Sequence, residues 1–181
     1  MRIISGTARG RKLKTLEGTD TRPTAERVKE ALFSILQFDL EGRRVLDLFA
    51  GSGQLGLEAL SRGALVCTFV EQRADAAAIV RENLKASGLS AQGQVLCQEA
   101  LSYITRTRDR FDLVLLDPPY QSGLMLPALE AAAAASAPGG IIACETDERA
   151  TLPDRAGDFA LDRTCSYGKI RLWLYRYAPS V

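Results

Sequence analysis

Histidine is absent from the sequence, which rules out Ser-His-Asp and Cys-His mechanisms and any imidazole base or metal ligand. Cysteine is sparse. Cys67, Cys97, Cys144 and Cys165 lie far apart with no C-x-x-C pair, so zinc-ligand spacing is missing, no metal is expected, and buried reduced thiols are the reading. Long apolar runs are also missing. Leu113 to Leu116 and Ala131 to Ala135 fall far short of a membrane span, and Met1-Arg2-Ile3-Ile4-Ser5-Gly6 has no signal-peptide core, so a cytoplasmic protein with no membrane partner is expected. Glycine at 15 and proline at 7 are too few for collagen or a Pro-Gly tract, while 46% apolar and 25% charged residues are ordinary for a folded domain. At 181 residues the chain is one domain's worth, 1–181, able to bury roughly 70% of its unfolded surface.

The net charge of +1 conceals an uneven distribution. Arg2, Arg9, Arg11, Lys12 and Lys14 stand at the start of the chain with no acid among them, and after Asp162 only Arg163, Lys169, Arg171 and Arg176 carry charge. Such clusters attract phosphate backbones through counterion release. Gly6, Gly10 and Gly18 make the N-terminal run a poor helix or central strand, so it reads as a solvated, nucleic-acid-facing segment over residues 1–23. The aromatics near the end, Tyr167, Trp173, Tyr175 and Tyr177, read instead as a half-buried strand, because Lys169 to Tyr175 alternates polar and apolar.

Between these ends the pattern alternates. Thr24 can cap a helix with Ala25, Val28, Leu32, Ile35 and Leu36 on one face. Strands are expected at Arg44 to Phe49, Leu65 to Glu71, Gln94 to Cys97, Phe111 to Leu116 and Ile141 to Glu145, with helices at Leu55 to Ser61, Asp75 to Ser87, Leu101 to Thr107 and Leu124 to Ser136 between them. Two further strands, Phe159 to Tyr167 and Ile170 to Tyr177, meet at Gly168 as a hairpin. The fold class is α/β: a seven-stranded, mostly parallel sheet with helices on both faces and a C-terminal antiparallel hairpin.

Two constellations carry chemistry. In the first, Asp47-Leu48-Phe49-Ala50-Gly51-Ser52-Gly53-Gln54-Leu55-Gly56 puts G-x-G-x-x-G where a strand turns into a helix, and Glu71 ends the next strand 20 residues past Gly51. A nicotinamide dehydrogenase would share the glycines and the ribose-binding carboxylate. Asp47 separates the readings, since a carboxylate at the first strand end suits a cationic aminoacyl adenosine with a sulfonium better than a pyrophosphate. In the second, Asp117-Pro118-Pro119-Tyr120 follows the most apolar strand. Two prolines stiffen the turn and leave carbonyl acceptors free, and an aromatic ring can stack on a flat base. A carboxylate, carbonyls and a ring suit a planar amine, whose lone pair is delocalised until hydrogen bonds localise it.

With these residues in place the chain resembles the bacterial ribosomal RNA small-subunit methyltransferases of the D family, which modify the 2-amino group of one guanine with S-adenosyl-L-methionine. The likeness runs through Met1 to Gly6, Arg9 to Leu13, Arg22-Pro23-Thr24, Arg27 to Phe33, Asp47 to Gly56, Glu58 to Ala64, Val70-Glu71, Asn83-Leu84, Asp117 to Tyr120 and Tyr167-Gly168. It implies a Rossmann-like class I methyltransferase acting on guanine 966, in the usual numbering, of 16S rRNA or the assembling 30S subunit, as a monomer. Asp47, Phe49, Gly51, Ser52, Gly53, Glu71, Glu99 and Ala100 would line the cofactor site, Asp117, Pro118, Pro119 and Tyr120 would present the amine, and Arg2, Arg9, Arg11, Lys12 and Arg22 would grip RNA.

The sequence departs from the family twice. Gln98-Glu99-Ala100 stands where an aspartate usually lies beside adenine, and Gln54 replaces a small residue in the glycine loop. A DNA adenine-N6 methyltransferase shares the chemistry, although the chain has little room for a duplex-reading domain. A non-catalytic RNA-binding module would need no carboxylates at the strand ends.

Overall fold

The computed structural model describes residues 1–16, 23–120 and 122–179. Five strands follow one another through helices: β1 (Arg44–Asp47), α2 (Gln54–Ser61), β2 (Val66–Val70), α3 (Ala74–Ser87), β3 (Gly93–Leu96), α4 (Ala100–Arg106), β4 (Phe111–Leu116), α5 (Met125–Ala135) and β5 (Ser136–Asp147). Helix α1 (Pro23–Ile35) precedes them, and β6 (Arg155–Ala156), β7 (Phe159–Tyr167) and β8 (Ile170–Tyr177) close the sheet. The strand order is β3-β2-β1-β4-β5-β8-β7-β6. Pairings among β1 to β5 are parallel, and β8, β7 and β6 add on antiparallel. The chain leaves β1 in one direction and returns to β4 on its other side, so the crevice above β1 and β4 is where an open α/β sheet receives its ligand.

Period-2 alternation splits the strands between two cores. Val45, Leu113, Leu115, Ile141 and Ala143 pack with Val28 and Leu32 of α1, Leu57 of α2 and Val80 of α3, while Leu46, Val114, Leu116, Ile142 and Cys144 pack with Ile104 of α4 and Ala128 and Ala132 of α5. Trp173 and Tyr175 belong to the second core, where the indole N–H donates to Thr146 Oγ1 at 2.9 Å and the phenol donates to the Pro153 carbonyl at 2.8 Å. These rings are core rather than base platforms.

The sheet departs from expectation at its ends. It has eight strands rather than seven, because Arg155–Ala156 pairs with β7 at the edge, and two residues are too few to show a period in sequence. Helix α5 stops at Ala135, one residue early, and Ser136 already pairs with Phe111 before the register shifts. Helix α1 starts at Pro23, where a missing N–H costs nothing, one residue ahead of the expected cap. Cys67 and Cys144 are buried, but Cys97 is exposed because it follows the edge strand β3, and Cys165 is half-buried.

Candidate active site

The loop after β1 is held by its own sheet. Leu48 N donates to Leu115 O at 3.2 Å, Ala50 N to Val70 O at 3.0 Å, and Gly53, at φ 81°, turns the chain into α2. The three glycines have different functions. A Cβ on Gly51 (φ 54°) would meet nothing within 4 Å, so this backbone faces open space. A Cβ on Gly56 would lie 2.3 Å from Phe69 Cε1 and 2.7 Å from Cys67 Sγ, so that glycine lets α2 sit directly on β2. Gly53 is the left-handed residue between them.

Two carboxylates flank the loop. Asp47, only 2% exposed, accepts the Gly56 amide at 2.9 Å, and burial, reinforced by the nearby charge of Glu71, pushes its carboxyl up to about 7. Glu71 accepts the Gly51 amide at 2.9 Å and the Arg73 amide at 2.8 Å, and each oxygen retains a further lone pair. Ser52 offers its carbonyl to Asn83 Nδ2 at 2.9 Å. Phe49 packs half-buried against the α4–α5 core, and the Ala100 methyl is buried in the same core. Glu99 is exposed and caps α4, accepting the Leu101 amide at 2.9 Å and the Ser102 amide at 2.6 Å, and the Ser102 side chain together with these amides lowers its pKa. The buried Gln54 Oε1 has no hydrogen-bond partner among the described residues.

Asp117 stands at the end of β4, half-buried, and no described residue donates a hydrogen bond to its carboxylate. Burial raises its pKa well above the carboxylate range, with the charges of Glu145 and Asp47 adding to the shift. Pro118 is buried and Pro119 exposed, and the Pro119 carbonyl accepts the Ser122 amide at 3.3 Å, so one of the two expected free acceptors is used by the turn itself. The Tyr120 hydroxyl donates to Glu145 Oε1 at 2.9 Å with the residue 50% exposed.

Glu145 was not among the residues singled out from sequence. It follows Ile141 to Cys144 in β5, and the register pairing Leu116 with Cys144 sets it beside Asp117. Asp47, Glu71, Asp117 and Glu145 come two residues after Val45, Phe69, Leu115 and Ala143, all in the α1–α3 core, so the four carboxylates share one sheet face and one end on neighbouring strands β2, β1, β4 and β5. The signal was present in the sequence: an acid ends each of these apolar runs. Among the described residues no group of three His, Cys, Asp or Glu is arranged to hold a metal ion. Such a row suits organic cations and N–H donors, which the strand spacing of ~4.8 Å lets address one carboxylate each.

The N-terminal segment is not a free loop. Arg2 and Lys12 form an antiparallel bridge, and Ile3, Ala8 and Leu13 are buried against the α1–α3 core. The Glu58 carboxylate, fully buried in α2, accepts the Ile4 amide at 2.8 Å and the Ser5 amide at 3.1 Å, while Lys29 Nζ donates to the Arg2 carbonyl at 2.6 Å. Lys29 at 3.6 Å and Arg62 at 2.7 Å balance the charge of Glu58. Asn83 receives the Lys14 amide at 2.8 Å, tying the segment to the residue that also binds Ser52. One face is therefore core, and the other carries the cations. Arg9, Arg11 and Lys12 are exposed with no acid paired to them among the described residues, whereas Arg2 is paired with Glu26 at 3.2 Å. Arg22 lies outside the described residues.

A 3-2-1-4-5 parallel core with an antiparallel β8–β7 extension, a glycine loop after β1 and acids at the strand ends define a class I, Rossmann-like methyltransferase fold. The solved structure of Escherichia coli yhhF superposes with a TM-score of 0.86 at 32% identity, covering 99% of each chain. Residues 1–176 match the family described as conserved hypothetical protein 95, and the chain belongs to that family. It is 33% identical over 178 residues to the Ribosomal RNA small subunit methyltransferase D of Escherichia coli K12, covering 97% of this chain and 89% of that one. To the protein of the same name from Haemophilus influenzae it is 42% identical over 132 residues, covering 71% and 68%. No helix among the described residues is long and apolar enough to cross a membrane.

Proposed function

We propose that this protein methylates the exocyclic N2 amine of one guanine, guanine 966, in 16S ribosomal RNA, using S-adenosyl-L-methionine. The observation that carries the reading is the Asp117 carboxylate, half-buried, without a donor among the described residues, and placed at the crevice between β1 and β4. A carboxylate so placed gains from a donor brought by a ligand. The names of the relatives support ribosomal RNA as the substrate, and Arg9, Arg11 and Lys12, with no paired acid among the described residues, support a phosphate-bearing partner.

The residues present fit the cofactor. Gly51 leaves an open cradle where a side chain would stand, Glu71 keeps acceptor capacity for ribose hydroxyls, and the buried Asp47 gains from an adjacent cation. S-adenosyl-L-methionine supplies an electrophilic methyl group on a sulfonium. Asp47, Gly51, Ser52, Gly53 and Glu71 would hold it from the β1 and β2 side, with Phe49, Glu99 and Ala100 along the rim. Asp117 accepts a hydrogen of the target amine and so builds electron density on nitrogen, the Pro118 carbonyl takes the second, and the Tyr120 ring covers the base. After transfer the amine is strongly acidic and Asp117 can take its proton. No histidine is required. Mass mapping of 16S RNA after incubation with protein and cofactor tests the reading. A single methyl on guanine N2 is the expected result, and methyl on another atom, or on DNA adenine, overturns it.

A further inference from the structure

The target site holds two carboxylates, and presenting an amine needs only one. Asp117 and Glu145 stand side by side on adjacent parallel strands, on the same sheet face. Burial raises the Glu145 pKa, the hydrogen bond that the Tyr120 hydroxyl donates to Oε1 opposes part of that rise, and no described residue binds the other oxygen. The site therefore offers two acceptors in a row, about one strand spacing apart at the backbone.

The bases differ in what lies beside the amine. Guanine carries a ring N1–H next to its 2-amino group, so that edge presents consecutive donors. Adenine and cytosine set a bare ring nitrogen, an acceptor, next to theirs. Two carboxylates aimed at the edge satisfy guanine and oppose lone pair to lone pair for the others, and a site built on buried polar acceptors rejects a partner lacking the donor far more strongly than an apolar pocket rejects a misfit.

We propose that Glu145 is the specificity-determining residue of this site, its carboxylate accepting the ring N1–H of the target guanine while Asp117 accepts the amine. The inference rests on the guanine-N2 reading above. Tyr120 then has two functions: its ring covers the base and its hydroxyl aims Glu145.

The test uses the intact protein and 16S RNA in which the position found by mass mapping carries guanine or, by splinted ligation, 2-aminopurine, which keeps the 2-amino group and lacks the N1 hydrogen. For the wild type, kcat/KM should favour guanine by about a hundredfold or more. Glu145→Gln, whose amide can donate to a bare ring nitrogen, should cut that ratio at least tenfold with thermal melting and cofactor binding retained. Tyr120→Phe keeps the carboxylate but removes the hydroxyl that aims it, and should lower the ratio by less than Glu145→Gln does. A wild type indifferent to 2-aminopurine, a ratio unchanged in Glu145→Gln, or a Tyr120→Phe variant that reproduces the Glu145→Gln ratio overturns the inference and leaves the guanine-N2 reading intact. Absence of guanine N2 methylation by the wild type overturns both.

Discussion

Glu58, buried in α2, receives the backbone amides of Ile4 and Ser5 and is balanced by Lys29 on α1, so one carboxylate joins the N-terminal segment to two helices. The Lys29 pKa is lowered by burial and partly restored by Glu58. Glu58→Ala would leave Lys29 buried without its counter-charge, a loss of about 3–5 kcal/mol for a pair of this kind. The expected signs are a lower melting temperature and lost hydrogen-exchange protection at Ile4 and Ser5. Unchanged protection would show that Ile3 and Leu13 suffice to hold the segment.

Asp47 links stability and binding through pH. Its carboxyl sits near 7 in the folded chain against an ordinary 3.8, so between these values the folded state keeps a proton that the unfolded state has lost. The stability this represents is fully present below the ordinary carboxylate value and is lost as pH rises to about 7, a span on the order of 4 kcal/mol at 1.4 kcal/mol per pKa unit. Asp47→Asn should therefore melt higher than wild type at pH 8, with the gap narrowing toward pH 5, and should bind S-adenosyl-L-methionine poorly. Wild-type affinity for that cation should fall below pH 7, with proton release in calorimetry. A melting gap independent of pH would remove burial as the cause.

Asp117→Ala should reduce methyl transfer by several orders of magnitude and leave cofactor affinity nearly intact, because no described residue hydrogen-bonds its side chain. Calorimetry with the cofactor and a labelled-methyl assay on RNA read the two separately. Loss of both together would make the residue structural.

Arg9, Arg11 and Lys12 face solvent without a paired acid among the described residues. Their triple replacement by alanine should weaken RNA binding and flatten its salt dependence by up to about 0.7–0.9 in log–log slope per phosphate contact removed. Filter binding across a salt series measures it, and an unchanged slope removes these residues from the RNA surface.

Two glycine substitutions should separate packing from binding. Gly56→Ala forces a methyl to 2.3 Å from the Phe69 ring and should cost about 1–3 kcal/mol of stability. Gly51→Ala meets nothing within 4 Å, so its cost to folding is limited to the left-handed backbone at φ 54°, about 1–2 kcal/mol, while the methyl enters the open space proposed for the cofactor. Melting curves and cofactor titrations should rank the two in opposite order.

Much of this was legible in the chain. The alternation of apolar runs with helical periods, the glycine loop after Asp47 and the turn Asp117 to Tyr120 are local patterns, and they predicted the order of elements and the two halves of the crevice. Less local features were not. Glu145 gains its place only when β4 and β5 pair in register, and Glu58 acquires its amide partners only when Ile4 and Ser5 arrive from 54 and 53 residues away. Glu99 becomes a helix cap, and Arg2 acquires Glu26.

The linear order of residues by itself determined the fold class, because periodicity and turn chemistry act over a few neighbours, and it marked Asp47, Glu71, Asp117 and Tyr120, which the fold brings to one end of the sheet. Only the tertiary structure decided which acids stand together, which cations lack a paired acid among the described residues and which face of the N-terminal segment is core. Those outcomes depend on strand register and helix docking between residues distant in the chain, where burial and charge pairing act through space.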